Sequence, residues 1–193
     1  MGVAPKVVLI KSRSAATNWY MQHNSAGLGY MTLSSTAAYN SNGAMFNGAF
    51  PTSSVFSVGV NGFSVNDTSA TYVAYCFAEV EGFSKIGSYT GNGSSDGPMI
   101  FTGFSPAFVI IKQSSASGES WTIWDNKRSP YNKDGDPTLY PNLSNAENTG
   151  SERLDFVSNG FKIRLTNADV NASGANYIYM AFAENPFKQS LAR

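Results

Sequence analysis

The chain has 193 residues, enough for one large domain or two small ones, each with a modest core. Its thirteen basic residues are balanced by thirteen acidic ones, so no positive field attracts phosphates and nucleic-acid binding is not expected. The longest apolar stretch near the start, residues 7–10, is far shorter than a membrane span, so membrane insertion is not expected either. Charged residues make up only 13%, whereas Ser, Thr, Asn and Gly make up 74 of the 193 residues, so neutral groups must wet most of the surface. With 42% hydrophobic residues the chain is expected to fold.

The beginning of the chain is repeated later in the sequence. Residues 5–11 read P-K-V-V-L-I-K, and residues 106–112 read P-A-F-V-I-I-K. A polar stretch and then a tryptophan follow each segment, at Trp19 and Trp121. The repeated tryptophan indicates a core position, so Trp121 is predicted to be buried.

The two halves also close in the same way. Residues 71–79 read T-Y-V-A-Y-C-F-A-E, and residues 176–184 read N-Y-I-Y-M-A-F-A-E. A period near 100 residues is too long for a solenoid and indicates duplication of a whole small domain. We therefore divide the chain into a first unit, 1–82, and a second unit, 83–193, which ends in a short tail.

Short apolar and β-branched runs bounded by turn residues predict an all-β fold, and their spacing suits two tandem, jelly-roll-like β-sandwiches. Only residues 143–147 suit a helical turn. The predicted strands lie at 6–11, 19–22, 30–33, 55–58, 71–79, 100–102, 108–112, 121–124, 154–157, 161–165 and 176–184.

The closing strand of each unit is predicted to be a central strand, covered on both sides. Successive side chains of a strand point to opposite faces. In both units the two faces of this strand are apolar, which is typical of a buried position. Cys76 in the first unit aligns with Ala181 in the second, which favours a small packed residue over a reactive thiol.

The second unit carries a segment that the first unit lacks. Residues 83–104 are predicted to form a hairpin around the Gly-rich turn 91–97, whereas residue 1 lies only four positions before Pro5. A sandwich without such a strand would expose an apolar edge. We therefore expect another chain to complete the first unit, within a symmetric homo-oligomer such as a trimer, or sequence upstream of residue 1 to do so.

Catalytic and metal-binding patterns are weak in this sequence. His23 is the single histidine and aligns with Asp125, which favours a surface or half-buried strand position over a Ser-His-Asp site. Asp125, Asp134 and Asp136 could gather oxygen ligands for calcium, but a polar turn explains them better. Paired acids for glycoside hydrolysis remain an alternative. We expect no enzyme activity, no cofactor and no metal.

A mixture of aromatic and polar residues in the second unit suits contact with a sugar or a protein. Trp124 and Tyr131 are predicted to lie at the surface, close to Asp125 and Arg128. Aromatic rings provide stacking surfaces, and the charged groups provide directed hydrogen bonds. These four residues form the predicted ligand-binding site.

Three segments, 87–94, 103–112 and 177–187, resemble an uncharacterised β-rich domain family. The family recurs at the C-terminal ends of tail-fibre-like and other structural proteins of tailed bacteriophages, many of them marine. The resemblance implies a virion protein made in the host cytoplasm, with other virion proteins as partners. The function that it implies first is binding of a host-surface glycan or protein, as part of a tail fibre or appendage. The alternative is a capsid decoration or head-fibre protein. A polysaccharide depolymerase agrees less well with the sequence.

Overall fold

The computed structural model describes residues 2–60, 64–128, 132, 137–150 and 153–186, and it confirms the all-β class. The described residues include a short 3-10 helix, Gly43–Phe46, and the one-turn helix α1, Ala168–Asn171. None of the described helices is long and apolar enough to span a bilayer. The strands are β1 (Val7–Ser12), β2 (Tyr20–His23), β3 (Met31–Thr32), β4 (Tyr72–Phe77), β5 (Ser84–Thr90), β6 (Met99–Phe101), β7 (Pro106–Gln113), β8 (Thr122–Asp125), β9 (Leu154–Val157), β10 (Gly160–Ile163) and β11 (Asn176–Ala183).

The strands form three antiparallel sheets, ordered β3-β2-β1-β4, β5-β11-β7-β8 and β6-β10-β9. Two of the predicted elements, the strand at 55–58 and the helical turn at 143–147, do not form. Residues 55–58 are irregular rather than a strand, and Phe56 and Val58 pack as a loop against a core of the first unit. Residues 143–147 form no helix, because the chain there follows a turn and then pairs at Asn148 with Thr138.

The two units share a three-stranded arrangement with the same register. The order β2-β1-β4 in the first unit corresponds to β8-β7-β11 in the second. Val7 lies opposite Phe77, as Phe108 lies opposite Phe182. The same register confirms the other aligned pairs, which are Cys76 with Ala181 and His23 with Asp125.

The two units also share an equivalent tyrosine hydrogen bond, which lies within each unit. Tyr177 Oη accepts a hydrogen bond from the Ala172 N–H, five residues upstream (2.8 Å), and Tyr72 Oη accepts one from the Asp67 N–H (2.9 Å). Both tyrosines belong to a V-N-x-x-x-A-x-Y segment, at 65–72 and 170–177. A tyrosine that bonds upstream backbone in this way fixes the entry into a closing strand of a β-sandwich.

The four-stranded sheets of the two units pack face to face across a shared cluster, which we call the inter-unit core. Trp121, 2% exposed, lies in it as predicted, and its indole N–H donates to the carbonyl oxygen of Thr32 in the first unit (3.0 Å). Each unit therefore buries one sheet face against the other unit. The core contains Val7, Met21 and Met31 from the first unit and Ile86, Ile110, Trp121, Ile178 and Met180 from the second.

The outer faces of the two sheets are covered differently. In the first unit, Met45 and Phe46 of the 3-10 helix and the loop residue Val65 pack over the sheet. In the second unit, the small sheet β6-β10-β9 does so, and Leu154 and Phe161 belong to that core. The second unit is thus the more completely layered of the two.

The prediction of a central closing strand is confirmed for β11 and wrong for β4. β11 lies between β5 and β7, whereas β4 is at the edge of its sheet. Tyr75 of β4 is 48% exposed, whereas its counterpart Met180 in β11 is 5% exposed. The reason is that no described strand occupies the place on β4 that β5 occupies on β11.

The predicted hairpin within 83–104 is also wrong, although both of its strands exist. β5 pairs with β11, and β6 pairs with β10 in a different sheet. Asn171, which is fully buried, fixes the turn between them, because its side chain bonds the backbone N–H of Asn92 (2.8 Å) and the carbonyl of Ser94 (2.7 Å). These bonds hold the turn that connects β5 in the four-stranded sheet to β6 in the three-stranded sheet.

Candidate functional site

Two of the predicted site residues, Asp125 and Arg128, are in contact at the end of β8. Arg128 Nε donates to Asp125 Oδ2 (2.7 Å), and its Nη1 donates to Glu147 Oε2 (2.7 Å). Asp125 Oδ1 also accepts the backbone N–H groups of Lys127 and Arg128, both at 3.0 Å. The hydrogen bonds to Glu147 and Asp125 raise the pKa of Arg128. This cluster connects β8 to the 137–150 segment, and it leaves few hydrogen-bonding groups of Asp125 and Arg128 for a ligand.

The prediction that Trp124 lies at the surface is wrong. The side chain is 1% exposed, and its indole N–H donates to Thr138 Oγ1 (3.0 Å). Side chains alternate along β8, so that Ile123 faces the inter-unit core and Trp124 faces the opposite core, where Val109 also lies. The ring is therefore packed and cannot stack on a ligand.

The other predicted site elements lie partly outside the described residues. Tyr131, Asp134 and Asp136 belong to that part of the chain. Within the described ranges, no group of three His, Cys, Asp or Glu side chains could hold a metal ion.

His23 is fully buried rather than at the surface or half-buried. It is 1% exposed, and its Nε2 lies 3.3 Å from the carbonyl oxygen of Tyr179, to which it can donate. Burial lowers the pKa of His23 to about 4, although the bond to Tyr179 and the negative charge of Glu79 act in the opposite direction. A neutral imidazole enclosed between the sheets cannot reach a substrate as a general base.

Several carboxylates of the described residues lie in ion pairs. Glu79 pairs with Lys85 (3.1 Å) and Asp96 with Lys162 (2.6 Å). The buried Asp169 accepts a hydrogen bond from the Arg153 guanidinium. Burial raises the pKa of Asp169, and the Arg153 charge opposes that shift. These carboxylates serve to hold segments of the fold together.

A polar groove of about 470 Å³ lies where the two units meet. Two hydrogen bonds fix Tyr39 on its wall, because the Tyr39 N–H donates to the Ser114 carbonyl (2.9 Å) and the Tyr39 hydroxyl accepts the Gly29 N–H (2.8 Å). On the opposite side, the Thr90 hydroxyl donates to Asn176 Oδ1 (3.2 Å). The residues that line the groove include Ser25, Tyr39, Ser88, Thr90, Ser115 and Asn176.

The lining of this groove is neutral and rich in hydrogen-bonding groups. Its residues are serine, threonine, asparagine, tyrosine and one alanine, and none carries a charge. Ser25 and Ser88 are exposed, so that their hydroxyls face solvent. A few placed polar groups with aromatic walls suit a ligand made of hydroxyls, such as a sugar, or a polar loop of a protein.

This groove could not be located from the sequence, because its residues come from five separate segments, at 25–26, 39, 88–90, 114–115 and 176. The abundance of serine and threonine is the one signal in the sequence that bears on it. Such residues occur throughout the chain, so composition alone does not locate a site. The packing of the two units brings them together.

A protein-family model matches nearly the whole chain. The match covers residues 1–186 and therefore includes both units and all eleven described strands. No curated protein and no solved structure matches the chain. By the extent of the family match, the chain belongs to the family described as a domain of unknown function (DUF7483).

Proposed function

We propose that this chain is a virion protein of a tailed bacteriophage, part of a tail fibre or appendage that binds a host-surface receptor without cleaving it. The resemblance of its closing segments to phage structural proteins supports the virion assignment. The neutral groove between the units is the observation that carries the binding function. A capsid decoration or head-fibre role is the alternative, since either protein would also fold as a rigid β-rich module.

The groove suits a host-surface glycan. Sugars present hydroxyl groups that both donate and accept hydrogen bonds, and the exposed side chains of Ser25, Ser88 and Ser115 offer the same chemistry. Tyr39 adds an aromatic wall for the apolar face of a sugar ring. Because the groove is formed by both units, its shape depends on their fixed packing.

The chemistry of the described residues supports binding rather than cleavage. Most glycoside hydrolases use two carboxyl groups that flank the scissile bond. No acidic residue lines the groove, and Glu79 and Asp169 are held in ion pairs elsewhere. His23, the single histidine, is enclosed in the fold.

We also propose a more detailed description of the architecture. The chain is a duplication of one jelly-roll-like sandwich unit, divided near residue 82, and the two units have become joined through the inter-unit core. We also propose that it works as a homo-oligomer, a trimer, in contact with other virion proteins.

Filling the groove tests the binding proposal. Ser88→Trp places an indole in the groove, and Ser88 makes none of the side-chain hydrogen bonds described for its neighbours, so folding should be retained. We expect the purified variant to lose binding to a glycan panel and to host cells by about tenfold or more, the effect of about 1.4 kcal/mol. Ser95→Trp, an exposed serine outside the groove, is the matched control and should bind as the unmodified chain does.

Two results would contradict the proposal. Equal binding by the Ser88→Trp and unmodified chains, with unchanged melting temperatures, would remove the groove as the receptor site. Shortening of a bound polysaccharide by the unmodified chain would show that the protein is a depolymerase.

A further inference from the structure

The structure assigns a second binding role, independent of the groove, to the outer edge of β4. We propose that this edge accepts one antiparallel strand from a different polypeptide, as β11 accepts β5 within the chain. The partner is an extended segment with the side-chain pattern of β5. Pairing of this kind uses backbone hydrogen bonds for affinity and alternate side chains for specificity.

The backbone of β4 offers the groups that such a strand needs. The Thr71 carbonyl accepts from the Arg13 N–H (2.8 Å) and the Phe77 carbonyl accepts from the Lys6 N–H (2.8 Å), so the odd-numbered residues of β4 face β1. Along an antiparallel strand these directions alternate. The N–H and C=O groups of Tyr72, Ala74 and Cys76 therefore point to the outer edge, where no described strand pairs with them.

The second unit shows how this edge is filled. The residues of β11 that match Tyr72, Ala74 and Cys76 lie opposite β5: Tyr177 faces Tyr89, Tyr179 faces Gly87, and Ala181 faces Lys85. The rings of Tyr89 and Tyr177 stack with their centroids 5.0 Å apart. Among the described residues no ring stacks on Tyr72, so the first unit lacks both the strand and its aromatic contact.

β4 also lacks the features that keep edge strands from pairing. Natural edge strands carry lysine, proline or a bulge, or are very short. β4 is six residues long, reads Y-V-A-Y-C-F, and contains no charge and no proline. On the face toward the inter-unit core, Tyr75 stacks on Trp19 with ring centroids 6.2 Å apart, and it is still 48% exposed.

The contrast between the units specifies the side chains of the partner strand. A Cβ added to Gly87 would lie 2.7 Å from the Tyr179 hydroxyl, so a larger residue at this place in β5 would displace the Tyr179 ring. β4 has Ala74 at the place of Tyr179, which leaves that space open. The partner can therefore carry a larger residue opposite Ala74, with an aromatic residue opposite Tyr72 and an apolar one opposite Tyr75.

A second molecule of this chain, pairing β4 with β4, satisfies the pattern less well. With Ala74 at the two-fold axis, Tyr72 of one molecule would lie opposite Cys76 of the other. The small thiol would provide no ring for Tyr72 to stack on. A β5-like strand provides that ring, as Tyr89 does for Tyr177.

Amide exchange measured by NMR tests the inference on the full chain. The probe is the peptide S-K-I-V-S-Y-T, the β5 sequence with valine in place of Gly87. At millimolar peptide we expect exchange at Tyr72, Ala74 and Cys76 to slow by about tenfold or more, because hydrogen-bonded amides exchange only on opening. Exchange at Val73, Tyr75 and Phe77 should change little, because β1 already protects these amides.

A proline variant and a matched control separate strand pairing from non-specific binding. Ala74→Pro removes an N–H that points away from β1, a position where edge strands tolerate proline, so the chain should fold but lose the protection. Ala74→Val keeps the donor and should retain it. If Ala74→Pro does not fold, the same peptide with proline at its central position serves instead and should give no protection.

Two outcomes would overturn the inference. In one, the three outward amides are already protected in the free protein and the protein is a dimer in light scattering, which would show that a second molecule occupies the edge. In the other, the peptide gives no alternating protection at millimolar concentration, or its proline variant protects equally well.

Discussion

Replacement of Trp121 with alanine is expected to lower the free energy of unfolding of the whole chain by about 3–5 kcal/mol. The indole is 2% exposed and lies in the inter-unit core. Its N–H also donates to the Thr32 carbonyl of the first unit, and the variant would leave that acceptor without this donor. The loss should therefore reach both units, although the substitution lies in only one.

Denaturant unfolding followed by NMR signals from each unit would measure this effect. We expect the signals of both units to disappear at the same, lowered denaturant concentration. Trp19→Ala is the matched control, because Trp19 is the counterpart in the first unit but is only half-buried, and it should cost about 1 kcal/mol. First-unit signals with an unchanged midpoint in Trp121→Ala would show that the units fold separately.

The chain is expected to lose about 3 kcal/mol of stability through His23 as the pH falls from 7 to 4. The pKa of His23 is lowered from 6.5 to about 4 in the fold, mainly because of burial. Below pH 6.5 the unfolded chain binds a proton that the folded chain does not bind, so acid favours unfolding. The loss begins near pH 6.5 and is complete near pH 4, and each unit of pKa shift corresponds to about 1.4 kcal/mol.

Chemical denaturation at a series of pH values measures this loss. His23→Gln keeps an N–H group that can donate to the Tyr179 carbonyl but does not titrate. The variant should therefore show a much smaller fall in stability between pH 6.5 and 4. A slope equal to that of the unmodified chain would mean that other groups cause the acid sensitivity.

Local sequence patterns predicted the elements of the fold well. The all-β class and the strands at 154–157 and 121–124 depend on short apolar runs and turns, which lie close together in sequence. The duplication also predicted the shared register, because equivalent residues such as Val7 and Phe108 occupy equivalent sites. The V-N-x-x-x-A-x-Y pattern around Tyr72 and Tyr177 is a further repeat in the sequence, but its role depends on hydrogen bonds that only the structure shows.

Long-range pairing could not be predicted from the same patterns. β5 and β6 are close in sequence and look like a hairpin, but their partners, β11 and β10, lie more than half a unit away. The apolar sequence of β4 indicated a buried strand, and β4 is an edge because no strand of the described residues pairs with its outer side. The sequence shows that apolar groups need cover, but not which segment supplies it.

The candidate site, too, was predictable only where its residues are close together in sequence. The contact between Asp125 and Arg128 was predictable because the residues are three apart and a turn brings them together. The burial of Trp124 was not predictable from its polar neighbours, because the Thr138 hydroxyl that bonds it comes from another segment. The groove depends on the packing of one unit against the other.

Cryo-electron microscopy of the phage particle that carries this protein tests the central proposal most directly. We expect density for the three-sheet fold on a tail fibre or appendage, with the groove around Tyr39 and Ser88 facing outward. Density for the same fold on the capsid surface would contradict receptor binding and favour a decoration protein. A particle without this density would contradict the virion assignment itself.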